Sequence, residues 1–191
     1  MTPPEEQQQQ QQNQQQTQTV NNLHSDWARA ELQRAAGMNL IPASLQPAHV
    51  DLRLPITRSE FAGVVTRTFE QLSGTTVQPA PAGRFRDTQD VDVRRAYTAG
   101  LMIGTRPDEF WPDTMLNREQ AATALARAFR RWSIPGSTFA TDANTPLQFA
   151  WPNTLFADDA NISYWARESV HFMAANGIIQ GTGDNRFSPR R

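Results

Sequence analysis

The chain has 191 residues, and its 19 acidic and 18 basic side chains leave a net charge of −1. This balance excludes the strong basic field that draws a protein to nucleic acid or to an anionic membrane surface. The lack of cysteine excludes disulfides, thiol catalysis and Cys-ligated metals, and no apolar run is long enough for membrane insertion.

The first 22 residues are dominated by glutamine and contain almost nothing that could be buried in a core. Residues 1–22 are therefore predicted to be a disordered Gln-rich tail. This start has neither the basic residues nor the apolar stretch of a secretory signal peptide. The sequence therefore indicates either a cytosolic protein or a fragment of a longer, exported one.

A first type of helix is predicted three times, beginning near Trp27, Thr88 and Trp165. Each copy ends at a residue that can adopt the left-handed conformation that closes a helix. These closing residues are Asn39, Gly100 and Gly177. The aligned positions predicted to be buried are Leu32, Val93 and Val170, and then Ala35, Ala96 and Met173.

A second type of helix is predicted twice, after Thr57 and after Asn117. Thr57 with Glu60, and Asn117 with Gln120, have the spacing of a capping box, in which cap and third residue bind each other's backbone. Apolar residues then recur on one helix face. They are Val64, Val65, Phe69 and Leu72 in the first copy, and Ala124, Leu125, Phe129 and Trp132 in the second.

The loop between the two helix types also recurs, because an aromatic residue and a proline follow the end of the first helix at fixed distances. These pairs are Phe110 with Pro112, and Phe187 with Pro189. The repeat unit is therefore a helix, a loop and a second helix. Repeat 1 covers residues 23–74, repeat 2 covers 84–135, and repeat 3 covers 155–191, where the sequence stops before a second helix.

The missing helix of repeat 3 has an expected cost. The second helix of the other repeats offers about six apolar positions, whose burial is worth on the order of 10 kcal/mol before entropy is subtracted. Without it, Val170, Met173 and Ile178 are expected to lie partly uncovered or to be covered by another part of the chain. The sequence therefore predicts marginal stability, or self-association through the truncated repeat.

Several short motifs occur in a fixed order along these repeats. Repeat 3 contains Phe156-Ala157-Asp158, Trp165-Ala166, Asn176-Gly177-Ile178-Ile179-Gln180-Gly181 and Phe187-Ser188-Pro189. The second helices open with Ile56-Thr57-Arg58-Ser59-Glu60 and Leu116-Asn117-Arg118-Glu119-Gln120. From about residue 23 to the end, this pattern resembles the S-layer homology domain family.

The resemblance implies an all-α fold of tandem helix-loop-helix repeats that form a pseudo-threefold prism. It also implies a non-catalytic, extracellular module of the cell wall or surface layer, without cofactor or metal. Its partner would be a secondary cell-wall polysaccharide, often pyruvylated, that binds in grooves between repeats. The ligand-binding residues implied by the motifs are Arg58, Arg118, Trp27, Trp165, Asp26, Asp87 and Asp158.

Each of these residue types also has a structural interpretation. The arginines could be solvated or ion-paired, the tryptophans could pack against a neighbouring element, and the aspartates could cap the following helices. The alternative function is a helical-repeat scaffold for protein partners. An enzyme is a more distant alternative, because His24, His49 and His171 have no nucleophile near them in sequence.

Overall fold

The structure is a computed structural model that describes residues 23–46, 50–152 and 154–191. Helices and short 3-10 turns form its regular structure, and no strand occurs in these described ranges, so the predicted all-α class is confirmed. The predicted tail, residues 1–22, lies outside them. The helices are α1 (Arg29–Gly37), α2 (Arg58–Ser73), α3 (Val91–Thr98), α4 (Arg118–Ser133) and α5 (Arg167–Ala175).

The chain divides into two compact units, Met1–Ile56 and Thr57–Arg191. The described part of the first unit contains α1 and the 3-10 turn Asp26–Ala28 that leads into it. In the part of the chain that the structure describes, α1 has no buried residue. The second unit contains the other four helices, and the candidate site lies there.

The three first-type helices end as the sequence predicts. The residues that follow their last turns have positive φ angles, which reverse the chain direction. These angles are 56° at Asn39, 68° at Gly100 and 68° at Gly177. The turn is closed each time by a hydrogen bond from the next residue back into the helix: Leu40 to Ala35, Leu101 to Ala96 and Ile178 to Met173.

The two second-type helices begin at the predicted capping boxes. Thr57 caps α2 and Asn117 caps α4, and in both cases the cap and the third helical residue bind each other's backbone. Such caps satisfy amide groups that would otherwise lack a partner at the helix start. The two helices pack against each other within the second unit.

Each second-type helix packs on the first-type helix of the following repeat, so that α2 covers α3 and α4 covers α5. Val170 and Met173 on α5 are consequently fully buried. Of the two expected alternatives, the structure has the second for these residues, because the helix that covers them belongs to the preceding repeat. Ile178 is 42% exposed, as expected. The main physical reason for self-association through repeat 3 is thereby removed.

The core around α5 combines residues from α4, α5 and the segments on either side. Its buried members are Ala122, Ala126, Leu147, Ile162, Ala166, Val170, Phe172, Met173 and Phe187. An ion pair borders it, with the buried Arg130 Nη2 at 2.6 Å from Oε2 of the half-buried Glu168. Residues 136–152, which we call the linker, therefore contribute to the fold through Leu147. The pseudo-threefold prism stays a prediction.

Candidate functional site

Arg58 opens α2 and binds the loop that follows α3. Its Nε donates to the carbonyl oxygen of Phe110 at 3.0 Å, and its Nη2 donates to that of Ile103 at 2.9 Å. The guanidinium also lies over the Phe110 ring, 4.6 Å from the ring centroid. Desolvation by burial lowers the pKa of Arg58. Two of its nitrogens are thus used to hold the loop.

Arg118 makes the equivalent contacts from the start of α4. Its Nε donates to the carbonyl oxygen of Phe187 at 2.8 Å and its Nη2 to that of Gln180 at 2.5 Å. The guanidinium lies 4.9 Å from the centroid of the Phe187 ring. The recurrence of this arginine therefore has a structural cause, the attachment of each second-type helix to the next repeat.

Asp87 and Asp158 hold the same two loops from the other side. Asp87 accepts hydrogen bonds from the backbone N–H groups of Phe110 and Trp111, the latter at 2.7 Å. Asp158 accepts from those of Phe187 at 2.8 Å and of the following residue at 2.9 Å. The amide and the carbonyl of each loop phenylalanine are thus both bound by charged side chains.

The hydrogen bonds to Asp158 lower the pKa of its carboxyl group. Desolvation by burial raises the pKa of this carboxyl, but the backbone N–H donors outweigh it, so that the pKa lies below its usual value. Asp87 shows the same balance. Neither residue makes the predicted side-chain cap of the following helix, since Asp90 caps α3 and Asp158 makes no cap bond.

A groove in the second unit brings two of the predicted residues together. This arginine pocket has a volume of about 350 Å³ and lies between the start of α2, the turn after α3, the face of α4 and the 3-10 turn Tyr164–Ala166. Its walls include Arg58, Arg127, Gln120, Thr123, Ile103 and Trp165. Among the described residues no carboxylate lines it, so its charged lining groups are the two arginines.

A second space continues from the arginine pocket. This aromatic cavity measures about 590 Å³ and shares Ile103, Thr123, Arg127 and Trp165 with the pocket. Its wall also carries Trp151 from the linker and Tyr164, whose side chains are among the large apolar groups left exposed. Both volumes fall within the range of about 300–1,000 Å³ that is typical of ligand sites.

Arg127 lies on α4 where the two spaces meet. Its Nε is 3.2 Å from Asp142 Oδ2, and its guanidinium is 4.7 Å from the centroid of the Phe139 ring. Desolvation by burial lowers its pKa, and the nearby carboxylate only partly opposes this. Within the described residues its two terminal nitrogens make no hydrogen bond. They are therefore available to a bound anion.

Sequence reasoning missed Arg127. A signal for it exists, because an arginine follows the helix-opening arginine by nine residues in both second-type helices, at Arg67 and Arg127. The repetition alone does not show which of the two reaches a groove. That depends on the position of the linker, which forms one wall of the aromatic cavity.

The other predicted residues lie elsewhere. Arg118, Asp87 and Asp158 line neither the arginine pocket nor the aromatic cavity. Trp27 and Asp26 belong to the first unit, where Trp27 is 83% exposed and Asp26 lies 3.0 Å from an Arg29 nitrogen. The groove therefore combines Arg58 and Trp165 from the predicted set with Arg127.

Neither a metal centre nor a membrane span is found in the part of the chain that the structure describes. No group of three His, Asp or Glu side chains there has the geometry to hold a metal ion. None of the described helices has the length and hydropathy needed to cross a bilayer.

Comparison with known proteins gives matches to three polysaccharide-processing enzymes, each at 24% identity. The amylopullulanase of Thermoanaerobacterium thermosulfurigenes aligns with 91% of this chain, the exoglucanase XynX of Acetivibrio thermocellus with 90%, and the endoglucanase of Bacillus sp. (strain KSM-635) with 71%. The chain spans only 9%, 15% and 13% of these enzymes, respectively. The similarity therefore concerns a small part of each enzyme.

A family model identifies the end of the chain. Residues 155–191 match the S-layer homology domain, which is usually a non-catalytic module that anchors proteins at the cell surface. The matched stretch contains the hydrogen bond from the backbone N–H of Phe187 to Asp158 that is described above. The resemblance predicted from the sequence is thus confirmed by a family match over residues 155–191.

Proposed function

We propose that this chain is a cell-surface anchoring module that binds an acidic cell-wall polysaccharide in the arginine pocket. The observation that carries the proposal is the placement of Arg58, Arg127 and Trp165 around one groove that no described carboxylate lines. Such a groove favours a ligand that combines a negative charge with a flat apolar face. A sugar that bears a carboxylate, such as a pyruvylated sugar, has both.

Arg127 is the main contact that we propose for the acidic group. The Nε and Nη2 of Arg58 already donate to loop carbonyls, whereas the terminal nitrogens of Arg127 have no described partner. Guanidinium groups bind carboxylates through paired, charge-assisted hydrogen bonds. Arg58 then contributes its charge and a fixed pocket wall, and Trp165 offers a ring face to the sugar.

A sedimentation assay with purified cell walls tests this function. The chain is mixed with walls that retain their polysaccharide and with walls from which it has been removed. We expect binding only to the first, and we expect Arg127→Ala to weaken it by about tenfold or more, since a charge-assisted hydrogen bond is worth about 1.5–3 kcal/mol. Arg34→Ala, on the exposed surface of α1, is the matched control.

Two results would contradict the proposal. One is equal binding to walls with and without the polysaccharide. The other is binding that soluble polysaccharide does not displace, which would favour the protein scaffold instead. Because the groove is formed by arginines and aromatic side chains, binding of an acidic glycan should also weaken as salt is added.

A further inference from the structure

We infer that the aromatic cavity is a second sugar subsite, built by the linker, and that it takes a neutral sugar residue next to the acidic one. This inference rests on the proposed function. It adds that the module recognises at least two consecutive sugars, in a fixed direction, from the cationic pocket towards Trp151. The argument uses the shape, the aromatic surface and the polar groups of the cavity.

The two spaces adjoin each other. They share Arg127 and Trp165, so a ligand whose acidic group contacts Arg127 extends directly into the aromatic cavity. The linker supplies Phe139, Asp142 and Trp151 to its wall. These residues form one side of the cavity, so its shape depends on the linker.

The aromatic surface of the cavity is exposed, and its Trp151 ring is held in place. Tyr164 is 92% exposed and Trp151 is 55% exposed, which is unusual for side chains with so much apolar area. The Trp151 ring packs on Phe149 at 4.9 Å and on His171 at 5.0 Å between centroids. A ring fixed in this way loses little conformational freedom when a sugar stacks on its free face.

The polar groups of the cavity favour a neutral sugar over a second acid. Asp142 and Glu168 both line it and are already paired with arginines of α4, and Arg167 lines it at 3.8 Å from Asp159 Oδ2. A carboxylate oxygen that accepts one hydrogen bond can still accept another, so these groups can receive hydroxyl donors. Arg130 is almost completely buried, with its donors directed to Glu168 and to the backbone of Thr145. A second carboxylate would have to compete with Glu168 for Arg130 and with Asp159 for Arg167.

Titration calorimetry with fragments of the wall polysaccharide tests the subsite. The acidic monosaccharide is compared with fragments in which one and two neutral sugars follow it. We expect the longer fragments to bind the unmodified chain at least about tenfold more tightly than the monosaccharide. Trp151→Ala and Tyr164→Ala should each reduce this gain and leave the affinity for the monosaccharide unchanged.

The controls separate the two proposals. Trp132→Ala removes a half-exposed tryptophan that lines neither space, and it should keep the full gain with fragment length. Arg127→Ala should weaken binding of every fragment. If the longer fragments keep their full gain in affinity over the monosaccharide in both the Trp151→Ala and the Tyr164→Ala variants, the second subsite is overturned. The proposed function would then still stand. Failure of the unmodified chain to bind any fragment would overturn both.

Discussion

The arginine that opens each second-type helix is a structural donor in this molecule. Arg118 binds two loop carbonyls and stacks on Phe187, so it contributes to stability without contact to the groove. Arg58 has the same structural contacts and lines the arginine pocket as well. The same residue type in the same motif therefore has different consequences in the two repeats.

Arg118→Ala should lower the free energy of unfolding by about 1.5–3 kcal/mol, because it removes charge-assisted hydrogen bonds to a loop. Arg118→Lys should restore little of this, since a single ammonium group cannot reproduce the guanidinium fork that reaches Phe187 and Gln180 together. Urea denaturation measures both variants, with Arg34→Ala as the control. An unchanged unfolding midpoint for Arg118→Ala would show that this fork does not hold the loop.

Asp158 should make the fold sensitive to acid. Its pKa in the folded chain lies below the unfolded value of about 4, so its contribution is fully present above that pH and is lost as the pH falls through the folded value. The difference in unfolding free energy between the unmodified chain and Asp158→Asn should be constant above about pH 5 and shrink below pH 4. Denaturation across this pH range measures it. A difference that stays constant down to pH 2 would contradict the assignment.

At the scale of the elements, the first-type helices end in the same turn but in different surroundings. Gly100 and Gly177 both have φ of 68°. A Cβ on Gly100 would lie 2.9 Å from Arg131 Nε, whereas nothing lies within 4 Å of a Cβ on Gly177. These two turns therefore form a matched pair in which backbone strain is equal and crowding is not.

Gly177→Ala should cost about 1–2 kcal/mol, which is the usual penalty for a side chain in the left-handed region. Gly100→Ala should cost more, because the buried Arg131, which is bound to Asp142 at 2.6 Å, must also move. Thermal unfolding of the two variants under identical conditions gives the comparison. Equal losses in Tm would mean that Arg131 adjusts freely.

The sequence predicts the helices better than it predicts their partners. The caps at Thr57 and Asn117 and the turn at Gly177 depend on neighbours in sequence, so local chemistry is sufficient to find them. An apolar helix face indicates that something covers it, but not which helix does so. For the same reason Arg58 and Trp165 could be proposed from motifs, whereas Arg127 depends on where a distant linker lies.

At the scale of the whole molecule, the main feature is that the second-type helix of one repeat buries the first-type helix of the next repeat. Met173→Ala should lower the free energy of unfolding by about 2–5 kcal/mol, because α4 buries this side chain completely. Ile178→Ala, at a position that is 42% exposed, should cost less than about 1 kcal/mol. Urea denaturation compares them. Similar small losses would indicate that α5 is uncovered after all.

This forward packing means that the unit which repeats in the sequence differs from the unit that holds together in space. A cut in the linker between repeats 2 and 3 would separate α5 from the helix that buries it, even though it falls between two recognisable motifs. Recombination that exchanges whole repeats would therefore have to match α4 of one parent with α5 of another. Shuffling that joins parents within the loops, after Gly100 or before Asn117, would keep α2 with α3 and α4 with α5, and only the contact between α2 and α4 would join the two parents. Positions for joining such repeats in engineered proteins therefore lie within the repeats, between the first-type and the second-type helix.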